Sequence, residues 1–174
     1  MKYMFETGRL RVRRFEKEDA LRLYEYHLDD AVKKWIPNES YADIEEARGA
    51  IDFFASCVDE GRLPYVLAVE LKETGELIGD MGINEVDGSP GEVEIGYVIC
   101  RECCGMGYAT EAVKAMTGFA ATEFGIKALY CRVMKGNAAS VRVLEKSGYV
   151  FISEEVGAED DPYGKGMLVY KKEL

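Results

Sequence analysis

The hydrophobic patterning of these 174 residues predicts a mixed α/β (α+β) fold. It reads as a central, mostly antiparallel sheet of about seven strands flanked by about four helices, in a single domain over residues 1–174. Three observations lead there. Period-two and helical-period segments succeed one another along the chain. Three strand-like segments in the middle are joined by turns of only a few residues, too short for parallel crossovers. A chain of this length that is 48% hydrophobic fills one core and leaves little for a second.

The elements follow in order. "GRLRVRRF" sets Leu10, Val12 and Arg14 against Arg9, Arg11 and Arg13, the alternation of an opening strand. "EKEDALRLYEYHLDD" switches to helical spacing, with Ala20, Leu21, Tyr24 and Leu28 on one face. A second helix lies within Asp43 to Glu60, where Ile44, Ala47, Ile51, Phe54 and Val58 recur at three- and four-residue steps until Gly61 stops it. "YVLAVEL", "LIGDMGINEV" and "VEIGYVIC" then read as a meander, with "KETGE" and "DGSPGE" as its turns. "GYATEAVKAMTGFAATEFG" restores helical spacing through Ala109, Ala112, Val113, Met116 and Ala120. A strand "ALYCRVM", a short helix "NAASVRVLEKSG" and two strands around "YVFISEEV" and "MLVYKKEL" complete the order.

Composition excludes several function classes. No apolar run resembles a signal peptide or approaches the roughly 20 residues of a membrane span, so the expected location is cytoplasmic with no membrane partner. A formal charge of −10 without a basic face argues against a nucleic-acid partner. The five cysteines, Cys57, Cys100, Cys103, Cys104 and Cys131, are odd in number and suit reduced thiols. They do not suit zinc: Cys100 and Cys103 make one pair, the other cysteines are scattered, and His27 sits in a helical pattern as a surface residue. Cys103 or Cys104 is either small filler or a redox-sensitive thiol, since a helix start lowers thiol pKa.

The stretch "CRECCGMGYATEA" places a strand directly before Gly105-Met106-Gly107 and a helix. A helix start presents unpaired N–H groups and the positive end of its dipole, and a glycine there lets an anion approach the backbone. The dinucleotide pattern fails because Thr110 stands where its last glycine belongs, and the P-loop fails because no Gly-Lys-Ser or Gly-Lys-Thr follows. Alone, the loop is equally a tight turn without a ligand.

Together, "EVEIGYVICRECCGMGYATEA" and, about 30 residues on, "NAASVRVLEKSGY" resemble the GNAT superfamily of acetyl-CoA-dependent N-acetyltransferases, in its ribosomal-protein N-terminal acetyltransferase branch. The resemblance runs from "GRLRVRRF" to the terminal strands. It implies acetyl-CoA as co-substrate, with Val98, Ile99 and Cys100 pairing along the pantetheine arm like an added strand. It also implies that the N–H groups of Met106, Gly107, Tyr108, Ala109 and Thr110 hold the pyrophosphate. Asn137 matches an asparagine that binds the cofactor arm, and Ser140 a serine near the cofactor sulfur. Two positions depart from the pattern. Glu102 replaces the usual Arg or Gln, so its carboxylate should face solvent with Arg101 turned inward. Leu144 replaces a tyrosine that protonates the leaving thiolate in many members, which leaves Ser140 or water as the acid.

Acetyl transfer to an amine needs a neutral nucleophile, a polarised carbonyl and a proton for the thiolate. A lysine amine is neutral about once in 2,500 at pH 7, a cost of about 4.6 kcal/mol, whereas an α-amine costs about 1.4 kcal/mol. Strand alternation puts Glu92, Glu94, Gly96 and Val98 on one face, so Glu94 is either the catalytic base or a solvated sheet residue. Ser140 either touches the cofactor or caps its helix. Arg142 and Lys146, one turn apart, either meet the 3'-phosphate or remain surface charges. Trp35, Ile36, Pro37 and Tyr41 fill the connection that borders the acceptor site in the family. The acidic run from Glu154 to Asp161 either draws in a cationic substrate or is solvated loop. The function expected is therefore acetyl transfer from acetyl-CoA to a primary amine, a protein N-terminus or a small amine, by a monomer or homodimer. The competing readings are a non-catalytic acyl-CoA binding module and a nucleotide-binding protein.

Overall fold

The protein is described by a computed structural model covering residues 3–157, 160, 162 and 166–174. One eight-stranded sheet runs through these residues. Its strands are β1 (Tyr3–Glu6), β2 (Leu10–Arg13), β3 (Tyr65–Leu71), β4 (Leu77–Glu85), β5 (Glu92–Ile99), β6 (Ala128–Met134), β7 (Val150–Glu155) and β8 (Met167–Glu173). Five helices accompany it: α1 (Ala20–Leu28), α2 (Asp30–Lys33), α3 (Ile44–Glu60), α4 (Tyr108–Phe124) and α5 (Ala138–Lys146). The spatial order is β1-β2-β3-β4-β5-β6-β8-β7, antiparallel throughout except for the parallel pair β5 and β6.

The expected meander is present as β3, β4 and β5, paired from Tyr65↔Ile83 to Gly79↔Ile99 with one register shift in β3–β4 between Val69 and Glu70. Two elements exceed the expected count. β1 and α2 are four residues each, too short for a period to show.

Neighbouring residues on a strand point to opposite faces, and that alternation assigns the helices. Asp80 on β4 meets Tyr26 and His27 of α1, while Tyr97 on β5 reaches Ser140 of α5 from the other face. α4 is fixed to its face by an aromatic cluster in which Phe119 packs on Phe5 and Tyr65, and Phe124 on Tyr65. Tyr149, fully enclosed after α5, joins this side by sharing its hydroxyl with Thr117 at 2.8 Å.

Three expectations about faces are corrected. α1 buries Ala20, Leu23, Tyr26 and His27, whereas Leu21 and Leu28 are exposed. His27 is therefore a buried residue and not a helix-surface one. Arg13, expected on the polar side of β2, is buried and donates to Glu70 and Asp19, each at 2.7 Å. Two carboxylates around one guanidinium satisfy a charge that would otherwise be costly to bury.

Candidate active site

The site begins where the sheet parts. β5 pairs with β6 only at Glu92↔Ala128, Val93↔Leu129 and Glu94↔Tyr130. Past Glu94 the two strands separate, β6 continuing beside β8 to Met134 while β5 continues beside β4 to Ile99. Cys100 donates its N–H to Ile78 on β4, and the Val98 carbonyl also points at β4, against Gly79. By alternation the N–H and C=O of Tyr97 and Ile99 face the opening. An unpaired strand edge of this kind can take an extended, amide-bearing chain as if it were another strand.

A cleft of about 570 Å³ occupies the gap. It is lined by Val98 and Ile99 of β5, by Gly107, Tyr108, Ala109 and Thr110 at the start of α4, and by Asn137, Ser140, Arg142 and Lys146 around α5. The sequence-predicted residues thus come together in one place. Trp35 and Ile36, from the connection after α2, close its other wall. Three predicted residues do not line it: Cys100 is fully buried in the core, the Met106 side chain is exposed outside the cleft, and Glu94 lies beyond its edge.

The glycine loop is held from a distance. Arg9, at the start of β2, donates to the Met106 carbonyl at 2.9 Å, pairs with Glu111 at 2.7 Å and lies 4.3 Å over the Tyr108 ring. Thr7 bonds the same glutamate. Burial works against charge on Glu111, but the hydrogen bonds from Thr7 and Arg9 outweigh it and hold the carboxyl below its ordinary value. Gly107 adopts φ +82° and begins α4 with no side chain capping the helix. The first N–H groups of a 17-residue helix are therefore left for the cleft. Glu102 points outward, within 3.5 Å of Arg22, whereas Arg101 lines the cleft. With Arg101, Arg142 and Lys146 on its walls, the cleft fits a ligand with an anionic end and an amide-bearing arm.

α5 differs. Asn137 caps it, its side chain accepting from the Ser140 N–H at 3.2 Å, so Ser140 is not the capping residue. The Ser140 hydroxyl instead lies 2.6 Å from the Tyr97 hydroxyl. Burial raises the Tyr97 phenol, with Cys131 adding to it, and the Ser140 bond only partly offsets this. Sequence reasoning missed Tyr97. Its one available signal was a polar aromatic in the middle of the strand that leads into the glycine loop.

Glu94 lies outside the cleft lining and is ion-paired to Arg132, which also binds Glu155. A second acidic group appears nearby that the sequence did not single out. Burial, reinforced by Asp80, raises the Glu39 carboxyl, and His27 offsets part of the rise. His27 binds Asp80 through Nε2 at 2.9 Å, while Nδ1 has no hydrogen-bond partner. Burial disfavours the imidazolium, but the Asp80 bond and charge prevail and raise its pKa.

Cys100, Cys103 and Cys104 lie around a 3-10 turn at Arg101–Cys103, before the start of α4 and not on it, and burial pushes Cys100 up to about 12 and raises Cys104. Among the described residues, no group of three or more His, Cys, Asp and Glu side chains could hold a metal, and no helix is long and apolar enough to cross a membrane. Of the acidic run from Glu154 to Asp161, Ala158, Glu159 and Asp161 lie outside the described residues, while Glu154 and Glu155, at the end of β7, pair with Lys135 and Arg132.

Known proteins share this fold. The ribosomal-protein-S5-alanine acetyltransferase from Vibrio fischeri superposes with a TM-score of 0.84 at 19% identity, over 97% of this chain and 95% of that one. The RimL ribosomal L7/L12 α-N-protein acetyltransferase, solved with coenzyme A, gives 0.81 at 15% identity, over 99% and 98%. At those identities the likeness is one of fold. In sequence, the uncharacterised N-acetyltransferase p20 of Bacillus licheniformis is 31% identical over 163 residues, 94% of this chain and 89% of that protein. The acetyltransferase (GNAT) domain description matches residues 9–150, which take in Arg9, the splayed strands and both helix starts. With that match across most of its length and a relative 31% identical over 94% of it, the chain belongs to the GNAT family of acetyltransferases.

Proposed function

We propose that this chain moves the acetyl group of acetyl-CoA onto a primary amine by direct attack in a ternary complex, acting in the cytoplasm as a monomer or homodimer with residues 1–174 as one domain. One observation carries the reading: an uncapped helix start and a paired serine hydroxyl open onto the same cleft, beside an unpaired strand edge. The N–H groups of Gly107 to Thr110 hold the pyrophosphate, and Tyr97 and Ile99 offer backbone groups to the pantetheine arm. Arg142 and Lys146 meet the 3'-phosphate. Ser140 donates a hydrogen bond to the leaving sulfur, and Glu94 or water removes the amine's proton.

A protein N-terminus is the favoured acceptor. Its α-amine costs about 1.4 kcal/mol to deprotonate at pH 7, so even a weak or water-mediated base suffices. An ion-paired Glu94 fits that modest demand better than it fits a lysine amine. Ribosomal proteins are named as substrates for two of the fold's neighbours, which supports the same class.

The test has two arms. Acetyl-CoA should raise the thermal midpoint while ATP and NAD leave it unchanged. Thiol release should then follow addition of peptides with free N-termini. Stabilisation by acetyl-CoA without thiol release from any peptide, polyamine or amino-acid amine would leave an acyl-CoA binding module instead.

A further inference from the structure

The Tyr97 and Ser140 hydroxyls are 2.6 Å apart, and either could be the donor. Three observations decide the direction. A phenol is a stronger hydrogen-bond donor than an aliphatic alcohol, and among the described residues both acceptors within its reach belong to Ser140: Oγ at 2.6 Å and the carbonyl at 3.4 Å. Three hydroxyls in or at the end of helices, Thr117, Thr122 and Ser147, spend their hydrogen on the carbonyl four residues back at 2.8, 3.0 and 2.7 Å, and Ser56 on α3 gives its own to Glu60 at 3.0 Å. Ser140 makes no such bond among the described residues, so its hydrogen remains uncommitted in a residue that lines the cleft. Finally, burial keeps the Tyr97 phenol protonated, so it stays a donor across the working pH range.

We propose that Tyr97 is a positioning residue whose O–H donates to Ser140 Oγ, which leaves the serine hydrogen aimed into the cleft as the donor to the departing sulfur. This rests on the reading that acetyl-CoA occupies the cleft with its sulfur near Ser140. It also accounts for the family tyrosine that is missing at position 144. Leu144 is fully buried in the core and has no hydrogen to donate. The phenol comes from β5 instead and works through the serine. In the reaction the amine nitrogen bonds to the acetyl carbon, and the carbon–sulfur bond breaks with its electron pair going to sulfur. The amine's surplus proton leaves through base or solvent, and a solvent proton ends on the thiolate. Neither hydroxyl changes its net protonation: Ser140 steadies the charge as it forms, and the bond from Tyr97 polarises Ser140 as a donor.

Tyr97→Phe, Ser140→Ala and the double variant test this. Tyr97→Phe should lower kcat about 5- to 30-fold with the KM for acetyl-CoA within about twofold, and the double variant should be no slower than Ser140→Ala alone. A second readout needs no turnover. The thiol pKa of bound coenzyme A, followed by thiolate absorbance, should lie below that of the free thiol and rise by about half a unit or more in Tyr97→Phe. Should Tyr97→Phe be unstable, 3-fluorotyrosine at position 97 keeps the shape, strengthens the donor and should lower the bound thiol pKa further. Independent, multiplying losses in the double variant, or an unchanged Tyr97→Phe beside an impaired Ser140→Ala, overturn the inference and leave the serine reading standing. A Ser140→Ala variant with full kcat and an unshifted thiol overturns both.

Discussion

Two strand-to-helix junctions open onto the same cleft, and they are finished in opposite ways. At β5 to α4 the chain turns through Gly107, φ +82°, and no side chain caps the helix. At β6 to α5 it turns through Gly136, φ +97°, and Asn137 caps the helix through the Ser140 N–H. The uncapped helix is 17 residues long, and the aromatic cluster at Phe119 and Phe124 holds it in place, so it does not depend on a cap for stability. The capped helix has 9 residues and exposes Ser140, Arg142 and Lys146 to the cleft. A helix start left open offers backbone to a ligand, and a closed one offers side chains.

The largest effect should come from closing the open junction. Asparagine tolerates positive φ, so Gly107→Asn separates backbone strain from the space a side chain would fill. A Cβ at Gly107 would sit 3.3 Å from the Arg9 guanidinium, and the rest of the side chain must enter the approach to the helix start. The KM for acetyl-CoA should rise about tenfold or more, while kcat at saturation changes little. Gly125→Ala is the control. It too has positive φ, +62°, but it ends α4 in open space and should cost about 1–2 kcal/mol of stability with no change in KM. Equal KM losses in the two variants would trace the effect to stability and dissolve the distinction between the junctions.

The uncapped junction was legible in the sequence because its parts are contiguous: a strand, two glycines and a helical period. The meander and the inward faces of α3 and α4 were legible for the same reason. The rest depends on contacts between distant segments. Tyr97 and Ser140 are 43 residues apart, and neither residue type announces the other. A period tells which residues share a face but not which face finds a partner, so α1 was turned the wrong way and His27 was placed outside. The parting of β5 from β6 has no local signal, because pairing is a property of two strands and each alone reads as a good one. The burial of Arg13 has no local signal either, because its carboxylates, Asp19 and Glu70, come from other elements.

An intermediate effect is expected from the strut behind the open junction. Arg9 lies 97 residues before the carbonyl it binds on Met106, and its side chain is 48% exposed. Exposed ion pairs contribute only about 0.2–1 kcal/mol, so Arg9→Ala should barely move the thermal midpoint. Its greater effect is to free the loop. The KM for acetyl-CoA should rise about three- to tenfold with kcat intact, since a looser loop must be ordered on binding. Arg9→Lys should recover little, because an ammonium cannot bridge the Met106 carbonyl and Glu111 as a planar fork does. Binding equal to wild type in Arg9→Ala would show that the loop is organised by its own glycines.

The smallest effect should come from opening the closed junction. Asn137 offers two things, an oxygen that caps α5 and an amide that can meet the cofactor arm, and two substitutions tell them apart. Asn137→Ala removes both, and loss of a cap costs about 1 kcal/mol, a fall of about 2–4 °C in thermal midpoint for a chain of this size. Asn137→Ser keeps a capping oxygen, so its stability should return to near wild type. The amide is absent from both variants, and any rise in KM for acetyl-CoA that they share belongs to it. If stability recovers in Asn137→Ser while kcat stays at the wild-type level, the cap serves to hold Ser140 in line with Tyr97 and the side-chain role of α5 stands. A thermal midpoint unmoved by Asn137→Ala would mean that the cap carries no weight, and that the two helix starts differ in geometry without differing in function.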